Sequence, residues 1–354
     1  MRVRIVSYED INAWILGKFA RRLHEELLKL GVEVDIANKI DAAADINHHI
    51  IYLGYDEQQE HSAIDTLMVT HVDNLRKLDI VKRQLNVAKL GICMSKPTAD
   101  ELATAGIPVE KLNYINAAHD GVIVPKKYNM GITSKVQPDG CKREGMLLSL
   151  CERVSPEDFR FTIMGMGWED IIEAIRKRGF EVRYYNDFNY DEYVKLIPTL
   201  DYYLYFGQDE GSMGFIDALA AGVKTIVTPQ GYHLDAPGGI THPFNEIHEL
   251  VDIFNQLAAE RRSLINSVST WTWRDYAIKH VEVWEHLLHP EKAVVSKYTD
   301  GVNSIGQANR GGVGARSKYV VALYTVPFTR AYQKLRRVKD FKTFVAKLKG
   351  YLIK

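Results

Sequence analysis

The sequence has few of the features that mark membrane-spanning, disulfide-rich or metal-binding proteins. No apolar run reaches the roughly 18 residues that a transmembrane helix needs. The three cysteines (Cys93, Cys141 and Cys151) form no CxxC pair, which predicts reduced thiols and a cytoplasmic protein. The first residues enter a strand pattern directly and lack the anatomy of a signal peptide. No metal-site spacing joins the histidines His48, His49, His233, His242 and His248.

The composition is that of a soluble globular protein, with 46% hydrophobic and 25% charged residues. A length of 354 residues predicts two domains rather than one. The formal net charge of zero hides an asymmetry, because residues 289–354 hold fourteen Lys/Arg against three Asp/Glu. That segment therefore carries +11 and the other 288 residues carry −11. Such a division indicates an anionic surface as a partner for the C-terminal segment.

Short apolar runs alternate with helical patterns along most of the chain. Strands are predicted at residues 2–7, 32–37, 50–54, 67–70 and 91–95, and again at 112–115 after a helix at 96–105. A second alternating series starts near residue 128. The pattern predicts two doubly wound α/β domains, at 1–125 and 126–272, followed by a helix at 273–288 and a basic tail at 289–354.

The chemistry is concentrated in residues 202–229, where an apolar strand leads into acids and glycines. Asp209 and Glu210 come first, and Asp217 follows on the next predicted helix. Ligands of open α/β sheets bind beyond the carboxyl ends of strands, and a helix N-terminus there favours an anion. Ionised carboxylates accept hydrogen bonds from sugar hydroxyls. The pattern therefore predicts binding of a sugar attached to a diphosphate, with the loop formed by Gly211, Ser212, Met213 and Gly214.

The same stretch resembles the retaining GT-B glycosyltransferases of the family 4 type. That family has two acids separated by seven residues, followed by Ala-x-Ala-x-Gly, which matches Asp209, Asp217 and residues 218–222. Both acids are Asp where the family usually has Glu, and Glu210 competes with Asp209 for the first position. Residues 95–120 resemble the segment that ends the family's acceptor domain, with Asp120 matching its Asp. The resemblance covers roughly residues 1–288 and implies two Rossmann-like domains that face a central cleft.

The resemblance also implies roles for residues outside this stretch. The family neutralises the donor diphosphate with an Arg and a Lys, and at the matching place this chain has Lys135 as the equivalent of the Arg and either Lys142 or Arg143 as the second cation. His71, two positions before Asp73, resembles the family's His-Asp and would face the donor sugar. Side-chain cations would stabilise the leaving diphosphate, so neither a metal nor another cofactor is expected. The glycines Gly165 and Gly167 are too weak a pattern to predict a dinucleotide cofactor.

The leading hypothesis is transfer of a sugar from a nucleoside-diphosphate sugar to a glycan or lipid-linked glycan, with retention, in bacterial surface polysaccharide synthesis. An inverting enzyme or an epimerase is one alternative, and it would need a base such as Glu9, Asp10 or His24. A catalytically silent scaffold at the membrane is another.

The C-terminal segment predicts a basic amphipathic helix. Apolar residues recur every three or four positions from 328 to 353, and the opposite face is nearly all Lys and Arg. Such a helix suits the surface of an anionic membrane, which would make the protein peripheral on the inner face of the plasma membrane. Packing on the chain's own body or on a partner subunit is the alternative, and no motif for reading nucleic acid is present. The membrane residues would be Arg330, Lys334, Arg336, Arg337, Phe341 and Phe344.

Overall fold

The computed structural model describes residues 1–59, 61 and 63–291, and these form two compact units. Unit 1 comprises Met1–Gly121 together with the described residues from Thr270 onward, and unit 2 comprises Val122–Ser269. The predicted membrane residues of the tail lie outside the described residues. Within the described part of the chain, no helix combines the length and the apolar character needed to cross a membrane.

Unit 1 is built on a six-stranded parallel sheet with the order β2-β1-β3-β4-β5-β6. Its strands are β1 Arg2–Val6, β2 Glu33–Ala37, β3 Ile46–His49, β4 Ile64–Val69, β5 Leu90–Cys93 and β6 Leu112–Tyr114. Its helices are α1 Trp14–Lys29, α2 Leu75–Val87 and α3 Lys96–Thr104, joined after unit 2 by α9 Trp273–Leu288. Helices cover both faces, because Met68 of β4 packs with α1 and α9 while its neighbours Leu67 and Val69 pack with α2 and α3.

Unit 2 repeats this plan, with the sheet order β12-β11-β10-β7-β8-β9. Its strands are β7 Tyr128–Ile132, β8 Phe159–Met164, β9 Glu181–Tyr185, β10 Tyr202–Tyr205, β11 Lys224–Val227 and β12 His242–Pro243. Its helices are α4 Gly145–Cys151, α5 Glu169–Lys177, α6 Tyr190–Leu196, α7 Met213–Ala220 and α8 Ile247–Asn266. Two parallel sheets with helices on both faces confirm the prediction of two Rossmann-like doubly wound domains.

The predicted strand at residues 50–54 is wrong. The strand is Ile46–His49, and Tyr52–Gly54 forms a 3-10 turn. Polar residues disguise this strand, because Asn47, His48 and His49 are buried. Each makes a side-chain hydrogen bond, although His48 Nε2 has no partner among the described residues. Helix α2 and the short strand β12 had no counterpart in the predicted pattern.

Helix α9 follows unit 2 in the chain but is part of unit 1. The capping box of Thr272 with Asp275 starts α9, and Trp273, Tyr276 and Trp284 are buried in the core beside α1. His280 of the same helix is buried against His48 of β3, with their ring centroids 4.9 Å apart. Burial lowers the pKa of both imidazoles, that of His280 to about 4. Both rings are therefore neutral at pH 7 and add to the core.

Candidate nucleotide-sugar site

Two of the residues predicted from the sequence, Lys142 and Asp209, meet at the carboxyl edge of the unit 2 sheet. From β7 the chain runs outward to β8 and β9, and then returns to place β10 on the other side of β7. The strand order reverses between β7 and β10, which is where open α/β sheets bind ligands. Lys135 and Lys142 follow β7, and Asp209 follows β10. Tertiary structure thus gathers residues about 70 positions apart at this one switch point.

Asp209 is the centre of a hydrogen-bonded network. Its carboxylate pairs with Lys142 Nζ and accepts the Tyr205 hydroxyl at 2.7 and 2.8 Å. Gly211 N–H donates to Oδ1 at 3.0 Å. Lys142 Nζ also lies 2.6 Å from Tyr205 Oη, so one cation, one phenol and one carboxylate are in mutual contact.

Burial pushes the pKa of Asp209 upward, but the hydrogen bonds from Lys142, Tyr205 and Gly211 outweigh it and hold the pKa below its usual value. Asp209 is therefore ionised at neutral pH. The Asp209 side chain is 28% exposed and that of Lys142 is 17% exposed, so both charges remain partly open to a ligand. An ionised carboxylate beside a lysine suits a ligand that has hydroxyls next to an anion.

Glu210, the rival for the first acid, is exposed and lies outside this network. Its main-chain carbonyl accepts Tyr232 N–H at 3.2 Å. A Cβ added to Gly231 would lie only 2.2 Å from that carbonyl oxygen, and Gly231 has a φ of +45°. A residue with a side chain would therefore not fit at position 231. The backbone of Glu210 therefore supports the loop after β11, whereas it is the Asp209 side chain that contacts Lys142 and Tyr205.

The first two backbone amides of the glycine loop already donate hydrogen bonds to side chains of unit 2. Gly211 N–H donates to Asp209, and Ser212 N–H donates to His233 Nε2 at 2.9 Å. Those two groups are therefore already used in this structure. Met213 is 67% exposed at the start of α7, and Gly214 fits against Tyr203, whose hydroxyl would lie 2.4 Å from a Cβ there.

Asp217 lies on α7 and accepts the Tyr193 hydroxyl of α6 at 2.5 Å. Burial, followed by the contact with Asp217, raises the pKa of that phenol well above its usual value, so Tyr193 remains a hydrogen-bond donor. The pair leaves a second carboxylate oxygen of Asp217 for a ligand, since the Tyr193 bond occupies Oδ2.

The three predicted cations have different surroundings. Lys142 belongs to the Asp209 network, whereas Lys135 is exposed in the loop after β7. Arg143, with a φ of +46°, donates Nε to the carbonyl of Phe206 at 2.7 Å and Nη1 to that of Asn245 at 2.9 Å. Arg143 Nη2 is buried and has no hydrogen-bond partner among the described residues. Arg143 therefore fixes the end of β10 and retains one unsatisfied nitrogen.

The predicted residues of unit 1 lie in separate places. His71 is exposed just after β4, and its carbonyl accepts the Tyr52 hydroxyl at 3.3 Å. Asp120 binds Lys18 Nζ at 2.5 Å and Trp273 Nε1 at 2.8 Å, so it fastens α1 to α9.

The residues considered as bases for an inverting reaction are not assembled into a catalytic pair. Glu9 and Asp10 are exposed, and the Asp10 carboxylate accepts Asn12 N–H at 2.9 Å. His24 lies half-buried on α1. One histidine–carboxylate pair of unit 1 that the sequence pattern missed is His49 with Asp65, because both residues lie inside strands, and His61 pairs with the same carboxylate. Among the described residues, no group of three or more His, Cys, Asp or Glu side chains could hold a metal ion.

The chain resembles several solved structures, each at low identity and low TM-score. No protein-family model matches the sequence, and no curated protein matches it either. Among solved structures, the chain is similar to the lipopolysaccharide outer core galactosyltransferase WaaB, with 13% identity over 82% of this chain and 100% of that chain and a TM-score of 0.33. It is similar to the sucrose-phosphate synthase of Thermosynechococcus elongatus, with 11% identity, 82% and 99% coverage and a TM-score of 0.35. It is also similar to Anabaena HepE in complex with UDP and glucose, with 12% identity, 80% and 99% coverage and a TM-score of 0.30. Similarity at this level supports no conclusion about the activity of this chain.

Proposed function

We propose that the protein is a glycosyltransferase that moves a sugar from a nucleoside-diphosphate sugar to a hydroxyl of a glycan or lipid-linked glycan. The contact of Asp209 with Lys142 and Tyr205 at the switch point of unit 2 carries this proposal. A carboxylate that accepts sugar hydroxyls there adjoins a cation that attracts a diphosphate. The spacing of Asp209 and Asp217, which resembles that of the family 4 enzymes, supports the same function.

Each side chain of the site has a defined task in this proposal. Lys142 leaves part of its contact with Asp209 to bind the diphosphate, and Lys135 supplies a second, exposed charge. Asp209 then accepts hydrogen bonds from the donor sugar, and Asp217 accepts them from the ribose through the oxygen that Tyr193 leaves open. His71 would face the donor sugar from unit 1. These cations stabilise the charge that develops on the leaving diphosphate, so no metal is required.

Retention follows from the resemblance to family 4. The acceptor hydroxyl attacks the anomeric carbon on the face from which the diphosphate leaves, and the leaving phosphate oxygen takes the hydroxyl proton. Such a reaction needs no separate base, and the candidate bases Glu9 and Asp10 are both exposed. The proposed place in biology is bacterial surface polysaccharide synthesis.

A thermal-shift screen against a panel of nucleotide sugars tests the donor. A ligand at 100 times its Kd stabilises the folded state by about 2.7 kcal/mol, which gives a measurable rise in Tm. Transfer or hydrolysis of the best donor should then be lost in Asp217→Ala, with Asp252→Ala on α8 as a surface control. A protein that neither binds nor cleaves any nucleotide sugar would be the silent scaffold instead, and an inverted product by NMR would exclude the retaining mechanism.

Attachment to the membrane is a separate part of the proposal. It rests on the charge of +11 in residues 289–354 and on the amphipathic pattern around Phe341 and Phe344. Flotation with anionic liposomes should recover the full chain and lose a chain that ends at Leu288. Equal recovery of both chains would exclude this role for the tail.

A further inference from the structure

A second polar network occupies the carboxyl edge of the unit 1 sheet. In the order β2-β1-β3, the chain runs from β1 to β2 on one side and then to β3 on the other, so the strand order reverses between β1 and β3. Tyr8 follows β1, and His49 is the last residue of β3. This position in unit 1 is equivalent to the one that the Asp209 loop occupies in unit 2, and it is a general place for ligands in such sheets.

The network joins a buried carboxylate to an exposed phenol. Tyr8 Oη lies 2.7 Å from His49 Nδ1, and His49 Nε2 lies 3.4 Å from Asp65 Oδ1. Asp65 also accepts the Tyr55 hydroxyl at 3.1 Å, and His61 lies beside the same carboxylate. His49 and Asp65 are 1% and 3% exposed, whereas Tyr8 is 39% exposed. Of these three linked side chains, Tyr8 is the one that reaches solvent.

The order of donors and acceptors fixes what Tyr8 offers to a ligand. A carboxylate only accepts hydrogen bonds, so the imidazole proton of His49 lies on Nε2 and points to Asp65. His49 Nδ1 is then an acceptor, and Tyr8 donates its hydroxyl proton inward to it. Burial lowers the pKa of His49, which keeps the ring neutral at pH 7. The outward side of Tyr8 Oη therefore presents lone pairs and no proton.

We infer that Tyr8 accepts a hydrogen bond from a hydroxyl of a neutral sugar, and that this sugar is the acceptor of the transfer. The inference rests on the proposed function, because a transferase must orient the hydroxyl that attacks. A fully ionised phosphate ester or carboxylate has no proton to donate, so its oxygens would repel the lone pairs of Tyr8 and such a ligand is disfavoured at this position. His49 and Asp65 are positioning residues that set the direction of the Tyr8 hydroxyl.

The loop that carries Tyr8 leads into a strained residue at the start of α1. Trp14, the first residue of that helix, has a φ of +33° and is 87% exposed. A bulky residue in the left-handed region is strained, and such strain persists mainly where surrounding structure enforces it for function. Gly54 meanwhile packs flat against the Tyr8 ring, where a Cβ would lie 2.3 Å from Cδ2. The ring of Tyr8 is therefore held in place by its contact with Gly54.

Binding of simple sugars by the full-length protein tests the inference. Methyl α-glucopyranoside, methyl β-galactopyranoside and methyl N-acetyl-β-glucosaminide serve as probes, followed by ligand-observed NMR titration. At least one should bind saturably, and Tyr8→Phe should weaken it roughly 2- to 10-fold, the usual value of one neutral hydrogen bond. Tyr114→Phe, at the far edge of the same sheet, should leave the affinity unchanged. Inorganic phosphate should not compete.

The positioning role of Asp65 has its own readout. Nitrogen-15 NMR should find the His49 proton on Nε2 in the unaltered protein. If Asp65→Asn moves that proton to Nδ1, the Tyr8 hydroxyl turns outward and glycoside affinity should fall as in Tyr8→Phe. Three results would each overturn the inference. They are equal affinity of Tyr8→Phe and the unaltered protein for all probes, absence of saturable binding, and a proton on Nδ1 of His49 in the unaltered protein.

The donor proposal fails separately. Nucleotide-sugar thermal shifts should survive in Tyr8→Phe and weaken in Asp209→Asn, while glycoside binding should show the opposite dependence. Glycoside binding that is lost in Asp209→Asn and kept in Tyr8→Phe would assign the sugar to unit 2 and overturn the inference for Tyr8.

Discussion

Lys142 is the residue whose removal should affect donor binding most directly. We expect Lys142→Met to weaken binding of the nucleoside diphosphate that gives the largest thermal shift. A hydrogen bond to a charged group contributes about 1.5–3 kcal/mol, which corresponds to roughly 10- to 150-fold in Kd. The matched control is Lys224→Met, because Lys224 begins β11 and so lies at the opposite edge of the same sheet. Isothermal titration calorimetry at fixed ionic strength measures both.

The contact between Lys142 and Asp209 adds a second effect that a double variant can separate. Without Lys142, the Asp209 carboxylate loses its main counter-charge and repels the incoming diphosphate. Two unit charges about 6 Å apart interact by about 3 kcal/mol at an effective dielectric constant of about 20, and partial exposure of both side chains reduces this. Asp209→Asn in the Lys142→Met background should therefore restore diphosphate affinity by up to roughly tenfold.

Two outcomes would refute this account of Lys142. One is an equal loss of affinity in Lys142→Met for the diphosphate and for the unphosphorylated nucleoside, which would indicate a misfolded loop. The other is a double variant that binds the diphosphate no better than Lys142→Met, which would mean that Asp209 does not lie beside the phosphate. Circular dichroism of each variant verifies that unit 2 remains folded.

Two further predictions concern stability. The folded-state pKa of about 4 for His280 lies below the unfolded value of about 6.5, so the unfolded chain binds more protons as pH falls and stability is lost from about pH 6.5 down to about 4. Between pH 7 and pH 5, the free energy of unfolding of His280→Gln should fall by about 2 kcal/mol less than that of the unaltered protein, as measured by denaturant titration. The control is His286→Gln at an exposed position of the same helix, whose free energy of unfolding should fall as much as that of the unaltered protein. Gly214→Ala should destabilise unit 2 by about 1–3 kcal/mol in thermal denaturation, because its Cβ would lie 2.4 Å from the Tyr203 hydroxyl, whereas Gly145→Ala meets open space and should cost nothing. A Gly214→Ala protein as stable as Gly145→Ala would contradict the close packing of α7 on β10.

Local signals in the sequence were read correctly where neighbouring residues decide the structure. The helix predicted at 96–105 is α3 Lys96–Thr104, which Ser95 caps by accepting Thr98 N–H. The apolar run of β10, the acids after it and the start of α7 also follow from residues 202–220 alone. These elements were predictable because caps, turns and apolar runs depend on interactions between residues close in the chain.

The sequence could not choose among residues of the same kind. Lys135 was expected as the equivalent of the family's Arg, with Lys142 or Arg143 as the second cation. In the structure, Lys142 contacts Asp209, Arg143 binds two main-chain carbonyls, and Lys135 is exposed. Asp209 and Glu210 were equivalent as acids, and the turn at Gly211, with a φ of +120°, directs Asp209 toward Tyr205. Side-chain direction in a loop depends on backbone angles and distant partners, which spacing does not encode.

The sequence by itself therefore determined most of the alternation of strands and helices and the plan of two doubly wound sheets, and it predicted the stretch that we propose binds the donor. Tertiary structure alone decided which residues meet at each switch point. Strand order brings Lys142 to Asp209 in unit 2, and it brings Tyr8, His49 and Asp65 together in unit 1. The physical reason is that a parallel sheet is assembled through long crossovers, so the residues at its carboxyl edge are neighbours in space without being neighbours in the chain.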